Sequence, residues 1–220
     1  MVTAEEIVDG VIRKYPGCSA WTIPVASLPQ REQDFFRGRS LQPITAIVVG
    51  HHVTSRVEWT WYEREDGSHH CDADDHAVAV CEEIRDALGR HWFRARILPY
   101  PGECGLQFRS VAEAAGAGEI GTNVFLLHPA WGPWVQLRVM ETDAPSALIP
   151  APTQRISICD PCGACIRACP AGAIRKDSFD GLRCRQFRTD RGEYYPVGPQ
   201  KEFRYCTICA DVCPAGEKPV

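Results

Sequence analysis

The chain has 220 residues, 45% of them hydrophobic and 24% charged, with a formal net charge of −4. That length can bury a sizeable core, and the charge balance gives no global pull towards nucleic acid or an acidic membrane surface. The opening MVTAEEIVDG lacks the basic, then apolar, pattern of an export signal, and no apolar stretch approaches the roughly 20 residues that span a bilayer, so a cytoplasmic protein with neither membrane nor nucleic-acid partner is expected.

In chain order, TAEEIVDGVIRKY opens with the capping-box pair Thr3 and Glu6 and sets Ile7, Val8, Val11, Ile12 and Tyr15 on one stripe. This predicts a helix with one buried face. ITAIVVG, from Ile44 to Gly50, is a short β-branched run and predicts a buried strand. SHHCDADDHA places His69, His70, Cys71, Asp72 and His76 within eight residues. It is either a metal site or the acidic first turn of a helix. In DDHAVAVCEEIRDALG, Val80, Ile84 and Leu88 stand four apart, predicting a helix ended by Gly89. FRARILPY predicts a strand, and SVAEAA, with Ser110 and Glu113, a short helix with a capping box.

Gly116, Gly118 and Gly121 then spell G-x-G-x-x-G. A dinucleotide site needs a strand before these glycines and a helix after them. Here a predicted helix precedes, and the apolar NVFLLHP, a predicted strand, follows. The motif is a close-approach loop rather than a phosphate cradle. VQLRVME predicts the last strand. Alternating helices and strands give an α/β (α+β) fold, a layered sheet domain over residues 1–150. APSALIPAPTQ, with three prolines, predicts a linker to a second, cysteine-rich domain over 151–220.

Four of the twelve cysteines are scattered, at Cys18, Cys71, Cys81 and Cys104; the other eight lie between Cys159 and Cys213. Most of these eight have only two or three residues between neighbours, which favours metal over a disulfide framework. CDPCGACIRACP gives Cys159, Cys162, Cys165, Cys169 and then Pro170, the C-x2-C-x2-C-x3-C-P run of bacterial ferredoxins. In that run the first three thiolates turn to one four-iron cluster and the fourth reaches a second. CTICADVCP supplies Cys206, Cys209 and Cys213, and Cys184 lies between the motifs. One [4Fe–4S] cluster would take Cys159, Cys162, Cys165 and Cys213; the other would take Cys169, Cys184, Cys206 and Cys209. Two four-cysteine zinc sites are the alternative, although zinc does not explain the C-P endings. The C-x3-C-x2-C loop of radical enzymes is absent, because Gly172 and Gly216 stand where its third cysteine belongs. Eight Lys/Arg against four Asp/Glu between Arg155 and Arg191 would offset anionic clusters, or simply be a solvated surface.

Three blocks together carry a resemblance: GEIGTNVFLLHPAWGPWVQLRVMETDAP, CDPCGACIRACPAGAI and CTICADVCP. Over roughly residues 105–216 the chain resembles epoxyqueuosine reductases and corrinoid-dependent reductive dehalogenases. The resemblance implies a nitroreductase-like mixed-sheet domain that holds a cobalamin, followed by a two-cluster ferredoxin module that feeds it electrons. It implies that Gly118, Gly121, Asn123, His128 and Gly132 lie at the corrin, unless the glycines only form a tight turn. The proton donor falls in ILPYPGECGLQFRS, where Tyr100, Glu103 and Cys104 are candidates. A small-molecule substrate and a low-potential donor such as ferredoxin or flavodoxin complete the expectation. A non-catalytic electron carrier or corrinoid-reducing partner is the alternative.

Overall fold

A computed structural model describes residues 2–63, 69–100, 104–147, 159–190, 202–203 and 206–220. Helix α1 (Ala4–Ile12) begins as predicted: Glu6 N donates to the Thr3 hydroxyl, and Glu6 Oε2 accepts from Thr3 N at 3.0 Å. Strand β1 (Cys18–Pro24) and helix α2 (Gln30–Arg37) follow, and then β2 (Thr45–His52), which is buried from Thr45 to Gly50. After β3 (Trp61–Glu63) and β4 (His69–His70) comes the 19-residue helix α3 (Asp72–Arg90). Next are β5 (Ala95–Ile97), α4 (Phe108–Ala114), the two-residue strands β6 (Glu119–Ile120) and β7 (Leu126–Leu127), and β8 (Val135–Thr142).

The main sheet has the order β1–β2–β8–β5, and each of its pairings is antiparallel. Strand β2 is apolar on both faces because both are covered. Ala46 and Val48 join Val111 and Ala112 of α4 in one core; Ile47 and Val49 join Val8 of α1 and Val80 and Ile84 of α3 in the other. The period-2 alternation of a strand thus serves two helical layers.

Three local expectations change. Helix α3 passes through Gly89, and Trp92, not a glycine, takes the left-handed position beyond its end (φ 66°). Helix α4 starts at Phe108 with no side-chain cap, because Glu113 is used elsewhere, accepting from Ile120 N at 2.7 Å. The NVFLLHP strand contracts to β7, paired with β6.

The cysteine-rich segment comprises α5 (Cys159–Cys162), α6 (Ala164–Ala168), the hairpin β9 (Ile174–Arg175) and β10 (Ser178–Phe179), α7 (Gly181–Asp190), β11 (Glu202–Phe203) and α8 (Ile208–Asp211). It packs tightly on what precedes it. Strand β11 pairs with β3, setting Phe203 opposite Trp61. Ala210 joins a core with Val53, Trp61 and Trp134, and Cys213 and Ala215 pack on Leu127. Val220 N donates to Thr54 O at 3.0 Å, and Arg56 pairs with Asp211 at 2.9 Å. The predicted linker lies, from Leu148 onward, outside the described residues. No described helix is long and apolar enough to cross a membrane.

Candidate functional site

The eight clustered cysteines arrive by short, tightly turned pieces of chain. Between α5 and α6, Gly163 takes a left-handed conformation (φ 56°), which lets the chain reverse between Cys162 and Cys165. Cys159, Cys162, Cys165 and the distant Cys213 line one small cavity. Cys169, Cys184, Cys206 and Cys209 line one wall of a much larger one, about 930 Å³ in volume. Among the described residues, no three His, Cys, Asp or Glu side chains converge as a single ion requires.

The thiols are crowded, with Cys213 buried and the other seven half-buried. Burial, then the charges of Cys206 and Cys184, push Cys209 up to about 12. Burial also raises Cys165 and Cys213, with Cys159 adding to both. For Cys165, Cys209 and Cys213 the charged form is thus disfavoured, and a cationic metal among the thiols would offset that cost. Thiols with no histidine or carboxylate lining the same cavities, among the described residues, fit iron–sulfur clusters.

The other walls of the large cavity are aromatic, with Trp59, Trp61, Tyr100, Phe108 and Phe125, and carry a few polar groups. Strand β8 supplies Gln136 and Arg138. Arg138 Nε donates to Asp74 Oδ1 at 2.7 Å and Nη2 donates to Oδ2, so the buried Asp74 on α3 is gripped by two parallel bonds. Gln136 Nε2 donates to Asp74 Oδ1 at 2.9 Å, and Gln136 Oε1 accepts from Trp59 Nε1 at 3.1 Å. The Arg138 guanidinium lies 5.1 Å from the centre of the Tyr100 ring. Burial pushes Tyr100 up to about 12, so its phenol keeps its proton.

Of the residues expected at a corrin, only Asn123 lines these cavities, and it lines both. The glycines admit chain rather than ligand. A Cβ on Gly118 would stand 2.2 Å from Leu127 O, and one on Gly121 would stand 2.7 Å from Leu127 Cδ1. On Gly132 it would stand 1.9 Å from Ala215 O. At these three positions the close approach shown is to Leu127 and Ala215 of the chain itself. His128 stacks on Trp131 at 3.9 Å, and its Nδ1 accepts from Ala130 N and Trp131 N at 3.2 Å each. Burial, then His52, lowers it to about 4, so it is a neutral packing residue away from the cavity wall.

Among the donor candidates, Tyr100 lines the cavity, Cys104 packs against the α4 core, and Glu103 lies outside the described residues. The histidine-rich stretch disperses. His70 bonds Asp75 at 2.9 Å, His76 faces His51, Cys71 is buried in the core, and Asp74 turns inward to Arg138; the side chain of His69 is outside the described residues. Its acidic residues open α3, where the helix dipole favours them. Sequence reasoning missed Arg109, Gln136, Arg138 and Asp74. The one signal available was the polar pair Gln136 and Arg138, two apart in the otherwise apolar first six residues of β8.

Comparison with known proteins is decided by the cysteine segment. Residues 158–216 match a 4Fe-4S double cluster binding domain. Half of the chain is 36% identical, over 112 residues, to the epoxyqueuosine reductase of Synechococcus sp. (strain RCC307), of which it covers 34%. The chain thus spans about a third of the length of that relative. Its fold matches an epoxyqueuosine reductase solved with an epoxyqueuosine-modified tRNA stem loop, with TM-score 0.65, 20% identity, and coverage of 96% of this chain and 64% of the other. It also matches a reductive dehalogenase whose structure suggests a mechanism for B12-dependent dehalogenation, with TM-score 0.65, 15% identity, and coverage of 98% and 32%. The resemblance to these two groups therefore extends to the fold of nearly the whole chain. The tRNA stem loop bound by one neighbour stands against excluding nucleic acid on charge alone.

Proposed function

We propose that this chain is an iron–sulfur reductase, or the reducing part of one, with a corrinoid in the large cavity. The observation that carries this reading is the placement of Cys169, Cys184, Cys206 and Cys209 on one wall of an aromatic cavity whose other walls bear Tyr100 and the Asp74–Arg138 pair. The eight cysteines would hold two [4Fe–4S] clusters as one-electron carriers, and a cobalamin beside them would supply the strongly reducing centre for an organic substrate.

The chain's own residues bind, orient and exclude water. Trp59, Trp61, Phe108 and Phe125 make a wall suited to the flat face of a macrocycle. Asp74 fixes Arg138, Arg138 lies over the Tyr100 ring, and Gln136 ties Tyr100 to the same network at 3.5 Å. Tyr100 therefore offers a protonated phenol at a set position, the role of a proton donor in a reduction. The electron donor is a low-potential carrier such as ferredoxin or flavodoxin. The substrate is an organic molecule, free or carried on a larger one, and a cytoplasmic location fits such donors.

Anaerobic purification followed by iron, sulfide, zinc and cobalt analysis tests this. About eight irons per chain, with one cobalamin bound on addition, is the expected result. Eight irons without cobalamin affinity would leave an electron carrier, and zinc in place of iron would overturn the proposal.

A further inference from the structure

Two cations reach the wall of the large cavity, and they are in opposite states. Arg138 is neutralised by Asp74. Arg109, on α4, is half-buried and, among the described residues, has no acid beside it. Its Nη1 donates to Val124 O at 2.9 Å and its Nη2 to Gln107 Oε1 at 3.3 Å, both neutral acceptors. Burial lowers its pKa with no opposing charge to raise it. A guanidinium has five N–H donors, and among the described residues these two bonds engage only part of that set. A partly desolvated cation without a counter-ion is costly to maintain and draws an anion more strongly than an exposed one would.

A second feature of the same wall fixes Arg109 in place. Val124 has φ 60°, a left-handed conformation that a β-branched residue adopts only under constraint. The bond from Val124 N to Gly121 O at 2.8 Å holds that turn, and the turn presents the Val124 carbonyl to Arg109. Backbone strain and an uncompensated charge thus meet at one point of a cavity otherwise walled by aromatic rings.

We infer that Arg109, set by the Val124 turn, anchors an anionic group, a carboxylate or a phosphate, on the molecule that occupies the cavity. The occupant is then a largely apolar or planar molecule with one such group. This deepens the reading above and rests on it in taking the cavity as the ligand site. The anion has two possible sources: the phosphate of a cobalamin's nucleotide arm, or the acid group of a small substrate.

Equilibrium binding to the iron-loaded full chain separates them, with two matched pairs of probes. Cobalamin is compared with cobinamide, which lacks the phosphate-bearing arm, and 4-hydroxybenzoate with 4-hydroxybenzyl alcohol. The wild type should favour the anionic member of at least one pair by about tenfold or more, the worth of one charged hydrogen bond. Arg109→Met should erase that preference and Arg109→Lys should keep part of it. Preference within the corrinoid pair assigns the anion to the corrinoid; preference within the acid pair assigns it to the substrate. Failure of both corrinoids to bind, with the acid preference intact, would sink the cobalamin reading and leave this one standing. No preference in either pair, or an equal loss of both members in Arg109→Met, overturns it. Iron content and melting temperature establish that each variant is folded, and Arg109→Gln takes the place of the methionine variant if that one fails to load iron.

Discussion

Gly132 and Gly216 lie against each other so closely that neither has room for a side chain. A Cβ on Gly216 would stand 2.0 Å from Gly132 N and 2.3 Å from the carbonyl carbon of Trp131, and both glycines are left-handed, at φ 56° and 68°. One belongs to the loop before β8 and the other follows the last cluster cysteine, so this contact joins the sheet body to the cysteine-rich segment. Gly216→Ala is expected to destabilise the protein by about 2–4 kcal/mol, through overpacking and left-handed strain. It should also shed iron on gel filtration. An alanine variant that melts with the wild type would refute the contact as described.

Cys209 and Cys213 are four residues apart but line different cavities. Cys213→Ser should therefore damage the cluster shared with Cys159, Cys162 and Cys165, whereas Cys209→Ser should damage the one beside the large cavity. Each variant is expected to hold about four irons rather than about eight. Their reduced electron paramagnetic resonance spectra should be complementary. Identical spectra from the two variants would rule out the partition.

Asn123 is buried between the two cysteine cages, with Nδ2 donating to Cys209 O at 3.3 Å and Oδ1 accepting from Phe125 N at 3.3 Å. A charge at this point should be felt by both clusters, because hydrogen bonding and local charge set their potentials. Asn123→Asp, nearly the same shape, is expected to lower both midpoints by about 59 mV or more, a tenfold change for one electron. A spectroscopically monitored redox titration at full iron content reads this directly. A shift in one cluster alone would mean that Asn123 does not bridge them.

His128 is neutral in the folded chain and is held down to about 4, whereas an unfolded histidine takes up its proton below about 6.5. Between those values the unfolded state binds the extra proton, so stability is lost as the pH falls through that window. Burial lowers His51 and His52 as well, and they act in the same direction. His128→Asn keeps an acceptor for the Ala130 and Trp131 amides but cannot charge. Its melting temperature should fall less than that of the wild type between pH 7 and 4.5. Parallel pH profiles would show that His128 is not buried as a neutral ring.

Asp74 and Arg138 form a nearly buried pair, with side chains 4% and 12% exposed. Asp74→Ala strands the arginine among Tyr100, Gln136 and Leu98, and should cost about 3–5 kcal/mol by chemical denaturation. Asp74→Leu with Arg138→Met should recover most of that loss, since the charge and its partner leave together. If the double variant is no better than the single, the pair is not the source of the cost.

The parts of the fold written in periodic local patterns were legible in the sequence. The Thr3–Glu6 box, the apolar stripe of α1 and the two-sided burial of β2 depend on neighbours in the chain, and each appears where its pattern lies. The short cysteine runs likewise marked residues 158–216 as a double-cluster segment, because each run is local, and the division of the eight thiols into two fours is what the serine variants test. What was not legible depends on which distant atom a side chain meets. Glu113 looked like a capping residue until the hairpin offered it the Ile120 amide. Gly118 and Gly132 read equally as an approach to a ligand or as tight turns, and only the fold shows that Leu127 and Ala215 crowd them. Arg109 stood within the block read for a proton donor, yet its importance comes from having no acid nearby among the described residues, which no spacing encodes. Asp74 read as one of several helix-opening acids, and only the register of β8 against α3 brings Arg138 to it.

The short pairing of β11 with β3 has a consequence for how the chain reaches its native state. Phe203 sits three residues before Cys206, and Trp61, opposite it, belongs to the same core as Ala210 and Trp134. The strand that completes this small sheet and the thiols that would hold iron are thus neighbouring stretches of the chain, so that ordering one would help to order the other. Where a metal centre and a core share their residues, the free energy of metal binding is folding free energy. A cell short of iron would then hold this chain partly open and exposed to proteases, so that its abundance, and not only its activity, would follow the iron supply.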